Sequence, residues 1–275
     1  MKIGVSTFIT DEGIRPGQLA KALEERNFDS LFPHEHSHVP VRQVTPFPAG
    51  GQLPREYYRT LDPFVALTAA ASVTSNLLLG TGVALLVQRD VIHTAKQVAS
   101  LDLVSRGRVI FGVGTGWSHE EMRNHGADPR TRGAVMNERL AALKEIWTKD
   151  EAEFHGQHVD FDPIFCWPKP VQHPHPPIYI GGDGHAALAR AAAHGDGWMP
   201  HSVGHPTGVQ PQLKRLAEVA GSLPVVVASV TPRLELLAAY ADAGADHVTL
   251  ALPTRPEAQT LRMLDALVTL VTDYS

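Results

Sequence analysis

The amino-acid sequence predicts an α/β fold, a single (β/α)8 TIM barrel with one excursion between strands four and five. Three features carry that expectation. Short apolar, strand-like runs alternate with helical patterns from one end of the chain to the other. Glycine-rich tips follow several of those runs. The alternation breaks once, where residues 163–177 hold six prolines, which argues against a regular helix or a central strand there. No repeat or linker marks a boundary, so residues 1–275 read as one domain, a length usual for α/β barrels. A doubly wound open sheet is the alternative built from the same alternation.

The elements follow in order. Ile3 to Phe8 is the first strand, and Pro16 opens a helix with Leu19, Ala22 and Leu23 on its inner face. Asp29 to Phe32 is the second strand. Asp62-Pro63 reads as an N-cap and first helical residue, leading an Ala-rich helix to Val73. Leu77 to Val83 is the third strand, Thr94 to Val104 a helix, Ser105-Arg106-Gly107 a turn, and Arg108 to Val113 the fourth strand. Residues 134–147 place Met136, Leu140, Leu143 and Trp147 along one helical face. Phe154 to Val159 is a small hairpin around Gly156, and the proline-rich stretch is expected to fold over one end of the barrel as a cover. Regular alternation returns with strands at Ile178–Ile180, Gly197–Met199, Val225–Val230 and His247–Leu252. Helices are expected over Ala186–Ala193, Gln212–Ala220 and Pro232–Ala243, and a last one carries Leu261, Leu264, Val268 and Val271.

Composition narrows the function classes. Hydrophobic residues at 43% and charged residues at 19% suffice for a large core. A net charge of −5 with scattered Lys and Arg argues against nucleic acid as a partner. Cys166 is the only cysteine, so no intrachain disulfide forms, in keeping with a reducing compartment. No run approaches roughly 18 consecutive apolar residues and no leader pattern opens the chain, so a cytoplasmic protein that spans no membrane is expected.

In such a barrel the chemistry sits on the loops after the strands. After strand two comes Pro33-His34-Glu35-His36-Ser37-His38. Imidazole and carboxylate together suit proton transfer or metal binding, the plain alternative being a polar surface loop. Gly80-Thr81-Gly82-Val83 puts two glycines in a buried strand, which implies close backbone approach to something, or a bulge that only shapes the barrel. Gly112-Val113-Gly114-Thr115-Gly116-Trp117 is spaced somewhat like a dinucleotide fingerprint, but the third glycine at the right offset is missing, Glu120 and Glu121 follow, and the segment sits mid-chain. Gly181-Gly182-Asp183-Gly184 runs into a helix and suits a phosphate cradle, with Asp183 alternatively an N-cap. Gly195-Asp196-Gly197-Trp198 reads as a structural turn.

These segments, in this order, resemble the luciferase-like family of flavin and deazaflavin oxidoreductases over essentially the whole chain. The likeness also rests on His93-Thr94-Ala95-Lys96, Ala99-Ser100-Leu101-Asp102 and Ser105-Arg106-Gly107-Arg108. It is greatest to the branch that uses coenzyme F420, in which an acidic residue and a histidine follow strand two; Glu35-His36 stands there, with Glu where some members have Asp. The resemblance implies a ring cofactor over the barrel mouth, F420 or alternatively FMN. It implies a cis peptide or bulge at Gly82-Val83, beside Thr81, supporting one ring face. Gly114, Thr115 and Gly116 would lie beside the cofactor's chain, and Gly181 and Gly182 near its phosphate. His36 and Trp117 would border the substrate side, with His36 as acid or base and Glu35 holding the ring's polar edge or orienting His36. The expected reaction is hydride transfer to or from a small organic substrate, or FMN-dependent monooxygenation. A homodimer is expected, with the Ala-rich face of residues 66–73 as a candidate contact.

The rival is a metal-dependent barrel hydrolase using His34, His36 or His38. A catalytic zinc normally takes three protein ligands, and the other strand tips offer few, so no metal is expected. A cofactor-binding protein without catalysis is a third reading.

Overall fold

The computed structural model describes residues 1–274. Eight parallel strands form the predicted barrel: β1 (Lys2–Thr7), β2 (Ser30–Pro33), β3 (Leu78–Gly80), β5 (Val109–Gly114), β8 (Ile178–Gly181), β9 (Gly197–Met199), β10 (Val226–Val230) and β11 (His247–Ala251), with the short β4 (Ala84–Leu85) added beside β5. The hydrogen-bonded order runs β10-β11-β1-β2-β3-β5-β8-β9. Parallel bridges Trp198–Val225 and His201–Ala228 then join β9 to β10 and close the ring, which rules out the open sheet. Helices α1 (Pro16–Glu25), α2 (Pro63–Ala71), α3 (Val91–Ser105), α5 (Arg132–Thr148), α6 (His185–His194), α7 (Val209–Ala220), α8 (Leu234–Asp242) and α9 (Glu257–Tyr274) surround it, with the short α4 (His119–Asn124) ahead of α5. Among the described residues no helix is long and apolar enough to cross a membrane.

Local chemistry sets the helix starts. The Asp62 carboxylate accepts the Phe64 and Val65 N–H groups at 2.9 and 3.0 Å, and Pro63 fills the first turn. Helix α3 begins at Val91, ahead of the expected Thr94, because Asp90 accepts the His93 N–H at 2.8 Å. It ends with Arg106 in the left-handed region, followed by Gly107.

Two expectations are corrected and one is made specific. The run Leu77–Val83 is not one strand. β3 stops at Gly80, the Gly82–Val83 peptide is cis, and pairing resumes in β4. The break is held by the Gly82 N–H on the Pro33 carbonyl at 2.9 Å and the Thr81 hydroxyl on the Gly112 carbonyl at 2.6 Å. The proline-rich stretch covers the end of the barrel opposite the mouth. Asp102, near the carboxyl end of α3, accepts the Val171 and Gln172 N–H groups, and the Gln172 amide donates to Val109 at the start of β5. It follows the antiparallel hairpin β6 (Glu151–His155) and β7 (Asp160–Phe165). Pro163 is tolerated in β7 because the pairing is irregular there and the two strands form a sheet of their own. Finally, Ala66, Ala70 and Ala71 of α2 face the core and Ala69 is half-buried, so the outer face is not made of alanines; Val65, Thr68, Ser72 and Val73 are exposed there.

The barrel interior is filled by Phe32, Ile110, Met199, Val226 and Ala228, with Leu78, Val83 and Tyr179 against them. A larger apolar layer lies between barrel and helices. The carboxyl ends of the strands are left as the mouth.

Candidate functional site

The loop after β2 enters the mouth with its three histidines pointing to different partners. His34 Nδ1 bonds the Gly82 carbonyl at 2.5 Å, which requires Nδ1 to carry the proton. Burial pushes its pKa down to about 4, so it is neutral at physiological pH. His36, 9% exposed, bonds the Glu121 carboxylate through Nδ1 at 2.8 Å. His38 bonds the Ser37 hydroxyl and accepts from the Asn124 amide at 2.7 Å. Among the described residues no three His, Cys, Asp or Glu side chains are grouped to hold a metal ion.

Glu121 is the residue that reading the sequence passed over. It is 1% exposed, on α4, and its carboxylate accepts from His36, from the Ser37 N–H at 3.0 Å and from the Ser37 hydroxyl. Burial pushes its pKa up, but the hydrogen bonds and the imidazole outweigh that and hold it below the ordinary range. The sequence signal was there in another guise: Ser118-x-x-Glu121 is a capping-box pattern. Ser118 does cap, accepting the Glu121 N–H at 3.3 Å, while the Glu121 carboxylate turns instead to the β2 loop.

Glu35, expected at the polar edge of a ring, has both carboxylate oxygens taken on the far side of the loop. One accepts the Leu85 N–H at 2.6 Å, the other Arg89 Nε at 2.7 Å and Arg89 Nη2. Arg89 further bonds Asp62 and Gln97 and lies 4.7 Å over the Phe64 ring. Buried and saturated in this way, Glu35 ties the β2 loop to the chain following the cis peptide, and it makes no hydrogen bond to His36 among the described residues.

The glycines at the tips make room for one side chain. A Cβ on Gly114 would lie 2.7 Å from a Val83 methyl, and one on Gly181 2.9 Å from the other. Val83 is half-buried and reaches across from the β3–β4 break to the tips of β5 and β8. Gly181→Ala is therefore expected to cost about 1–3 kcal/mol by overpacking, and shortening the neighbour in Gly181→Ala/Val83→Ala should recover most of it in thermal denaturation. Beyond Gly181, Gly182 has φ +111° and its carbonyl accepts the Trp198 indole N–H at 2.8 Å. Helix α6 starts at His185, and its N-cap residue, Gly184, offers no side-chain cap. Asp183 is turned away from it, onto the His201 N–H and imidazole.

Thr81 is buried and used internally, while Thr115 and Gly116 are half-buried at the β5 tip. Trp117 follows, its ring 5.8 Å from that of His36. Sequence reading also missed Tyr57 and Phe47, which arrive from the long segment after β2: Tyr57 lies 5.0 Å from His36, and Phe47 5.7 Å from Trp117. No periodic pattern or motif in that segment announces them.

The luciferase-like monooxygenase family matches residues 15–228. The chain belongs to that family. This luciferase-like chain is 39% identical over 270 residues to an uncharacterized protein of Mycobacterium tuberculosis, covering 93% of each. Over 107 residues, 37% of this chain and 29% of the other, it is 39% identical to the FMNH(2)-dependent dimethylsulfone monooxygenase of Pseudomonas putida. Over 143 residues, 50% of this chain and 38% of the other, it is 29% identical to the F420-dependent hydroxymycolic acid dehydrogenase of Mycobacterium tuberculosis. The crystal structure of monooxygenase RslO1 from Streptomyces bottropensis shares the fold over the full length of both chains, with TM-score 0.81 at 20% identity.

Proposed function

We propose that the protein is an oxidoreductase that moves a hydride between a ring cofactor, F420 in preference to FMN, and a small organic substrate, with His36 handling the accompanying proton. The carrying observation is the buried His36–Glu121 pair at the edge of the mouth. With Nδ1–H given to Glu121, His36 presents Nε2 as the proton-exchanging atom. The ionised Glu121 fixes the ring's orientation and stabilises the imidazolium that forms when Nε2 takes a proton.

The residues present fit a ring with a phosphate-bearing chain. Val83 gives an apolar platform, and Gly114, Thr115 and Gly116 offer backbone along the β5 tip. The amino terminus of α6 is uncapped and suits phosphate, and Asp183, whose charge would oppose it, is engaged elsewhere. When bound, the cofactor supplies the hydride donor or acceptor. Trp117 and the neighbouring aromatic rings exclude water from His36. Glu35 positions the His36 loop through Arg89 and Leu85 and does not itself hold the ring.

The FMN reading is favoured by the local identity to the dimethylsulfone monooxygenase. Titrating the purified protein with F420 and with FMN, followed by fluorescence, separates the two. Saturable F420 binding at least about tenfold tighter than FMN, some 1.4 kcal/mol, is expected. Tighter FMN binding selects the monooxygenase reading, and binding of neither overturns both.

A further inference from the structure

The loop after β2 reaches α4 through more than the His36–Glu121 bond. Ser37, the exposed residue between His36 and His38, places its hydroxyl oxygen 2.8 Å from His38 Nδ1, 2.6 Å from His125 Nε2 and 3.3 Å from Glu121 Oε1. His125 caps the carboxyl end of α4, its N–H on the Glu121 carbonyl at 3.3 Å. One hydroxyl thus joins the buried pair to two outer imidazoles, whose rings lie 5.5 Å apart. His36, Ser37 and His125 also line a cavity of about 430 Å3 whose walls include Glu35 and Arg89, and not Val83 or Trp117. His125 is exposed, so a proton reaches it from solvent without entering the mouth.

Counting protons decides what the Ser37 hydroxyl can do. The Asn124 amide donates to His38 Nε2 at 2.7 Å, so neutral His38 carries its proton on Nδ1 and gives it to Ser37. Ser37 has a single proton of its own to give. While His125 Nε2 is unprotonated, it is the nearer acceptor for that proton. Once His125 is charged, both of its ring nitrogens are donors. Ser37 then accepts from His38 and His125, and Glu121 is the one acceptor left to it. The groups facing His125 set where this happens. Desolvation by its neighbours and then repulsion from His38 hold its pKa below the ordinary imidazole value, against the attraction of Glu121 and Glu35 and with a weaker repulsion from Arg89. Asp62, Asp90 and His93 stand farther round the same cavity. His125 is therefore neutral at physiological pH and takes its proton on the acid side.

We propose that Ser37 and His125 are positioning residues that make the grip of Glu121 on His36 respond to pH. A proton on His125 turns the Ser37 hydroxyl onto Glu121 and sets a second cation beside a carboxylate that otherwise serves His36. Glu121 then has less negative charge to offer the imidazolium that forms at His36. Acidification through the His125 titration thus weakens His36 Nε2 as a proton acceptor. This effect on turnover rests on the reading of His36 as the proton-handling residue; the hydrogen-bond switch itself does not.

The switch is read on the protein alone, by NMR of isotope-labelled histidine rings across about pH 5 to 8. The His36 Nδ1 resonance reports on the bond to Glu121. In wild type it is expected to move in a step that coincides with titration of the His125 ring. His125→Gln keeps a side-chain amide beside Ser37 but cannot become charged, and it is expected to abolish that step. Ser37→Ala removes the hydroxyl and leaves the backbone N–H on Glu121. It should shrink the step to about half or less, the remainder being direct interaction of the charges. Both positions are exposed, so both variants are expected to melt within about 2 °C of wild type. A step that persists unchanged in His125→Gln or in Ser37→Ala overturns the proposal, as does a wild-type His36 signal indifferent to His125. The pH profile of turnover should lose an inflection at the same pH in His125→Gln. If that inflection survives while the NMR step is lost, the reading of His36 fails and the switch stands.

Discussion

His36→Ala is expected to lower turnover by roughly 100-fold or more, the usual scale of a lost general acid or base, while cofactor affinity is largely kept. The imidazole stands at the edge of the mouth, and the Val83 platform and the α6 amino terminus do not depend on it. The substitution does have a structural cost. Glu121, 1% exposed, loses the donor at 2.8 Å and keeps the Ser37 groups. Leaving part of a buried carboxylate unsatisfied costs about 1–3 kcal/mol, enough to lower the melting temperature by several degrees without unfolding the protein. Melting temperature, cofactor titration and single-turnover rate measured on the same preparation separate these effects. Unchanged turnover would remove His36 from the chemistry. Glu121→Gln retains an acceptor for the Nδ1 proton but loses the charge that stabilises the imidazolium, so its effect on turnover should be smaller than that of His36→Ala.

Glu35→Ala is expected to destabilise the fold by about 3 kcal/mol, the lower end for removing one member of a buried ion pair. Arg89 would keep Asp62 and Gln97 but lose its most buried partner, and the Leu85 N–H would lose its acceptor. For a chain of this size that is a fall in melting temperature of roughly 10 °C. Glu35→Gln is the sharper contrast. If Glu35 holds the loop, the amide variant loses stability and binds cofactor normally once folded; if it faces the ring's polar edge, cofactor affinity falls and stability does not. The first outcome is expected, because both oxygens are already engaged by Leu85 and Arg89.

Much of the architecture was legible because it is local. Alternating apolar runs, the Asp62-Pro63 start of α2 and the glycines after the strands depend on neighbours a few residues away. The break at Gly82-Val83 was expected from the resemblance, and that peptide is cis, two residues beyond the end of β3. Other readings failed where a remote partner decides. Leu77–Val83 has the composition of one strand, and where its pairing stops is set by the Pro33 and Gly112 carbonyls that hold the break. The alanines of α2 gave no hint of which side would be buried. The proline-rich stretch was recognisable as irregular, but which end of the barrel it covers depends on Asp102 and Val109.

The sequence by itself determined the α/β alternation, the order of its elements and the identity of the chemically loaded loop, His34 to His38, because periodicity and residue chemistry are written along the chain, whereas closure of the ring was decided by the bridges between the β9 and β10 segments. The tertiary structure alone decided the role each of those side chains can take. It separated the three histidines onto Gly82, Glu121 and Ser37, drew Glu35 away to Arg89, and enclosed His36 with Tyr57 and Trp117. A hydrogen bond is set by the direction and distance of two groups that lie 85 positions apart in His36–Glu121 and 54 in Arg89–Glu35, and spacing along the chain carries no record of either.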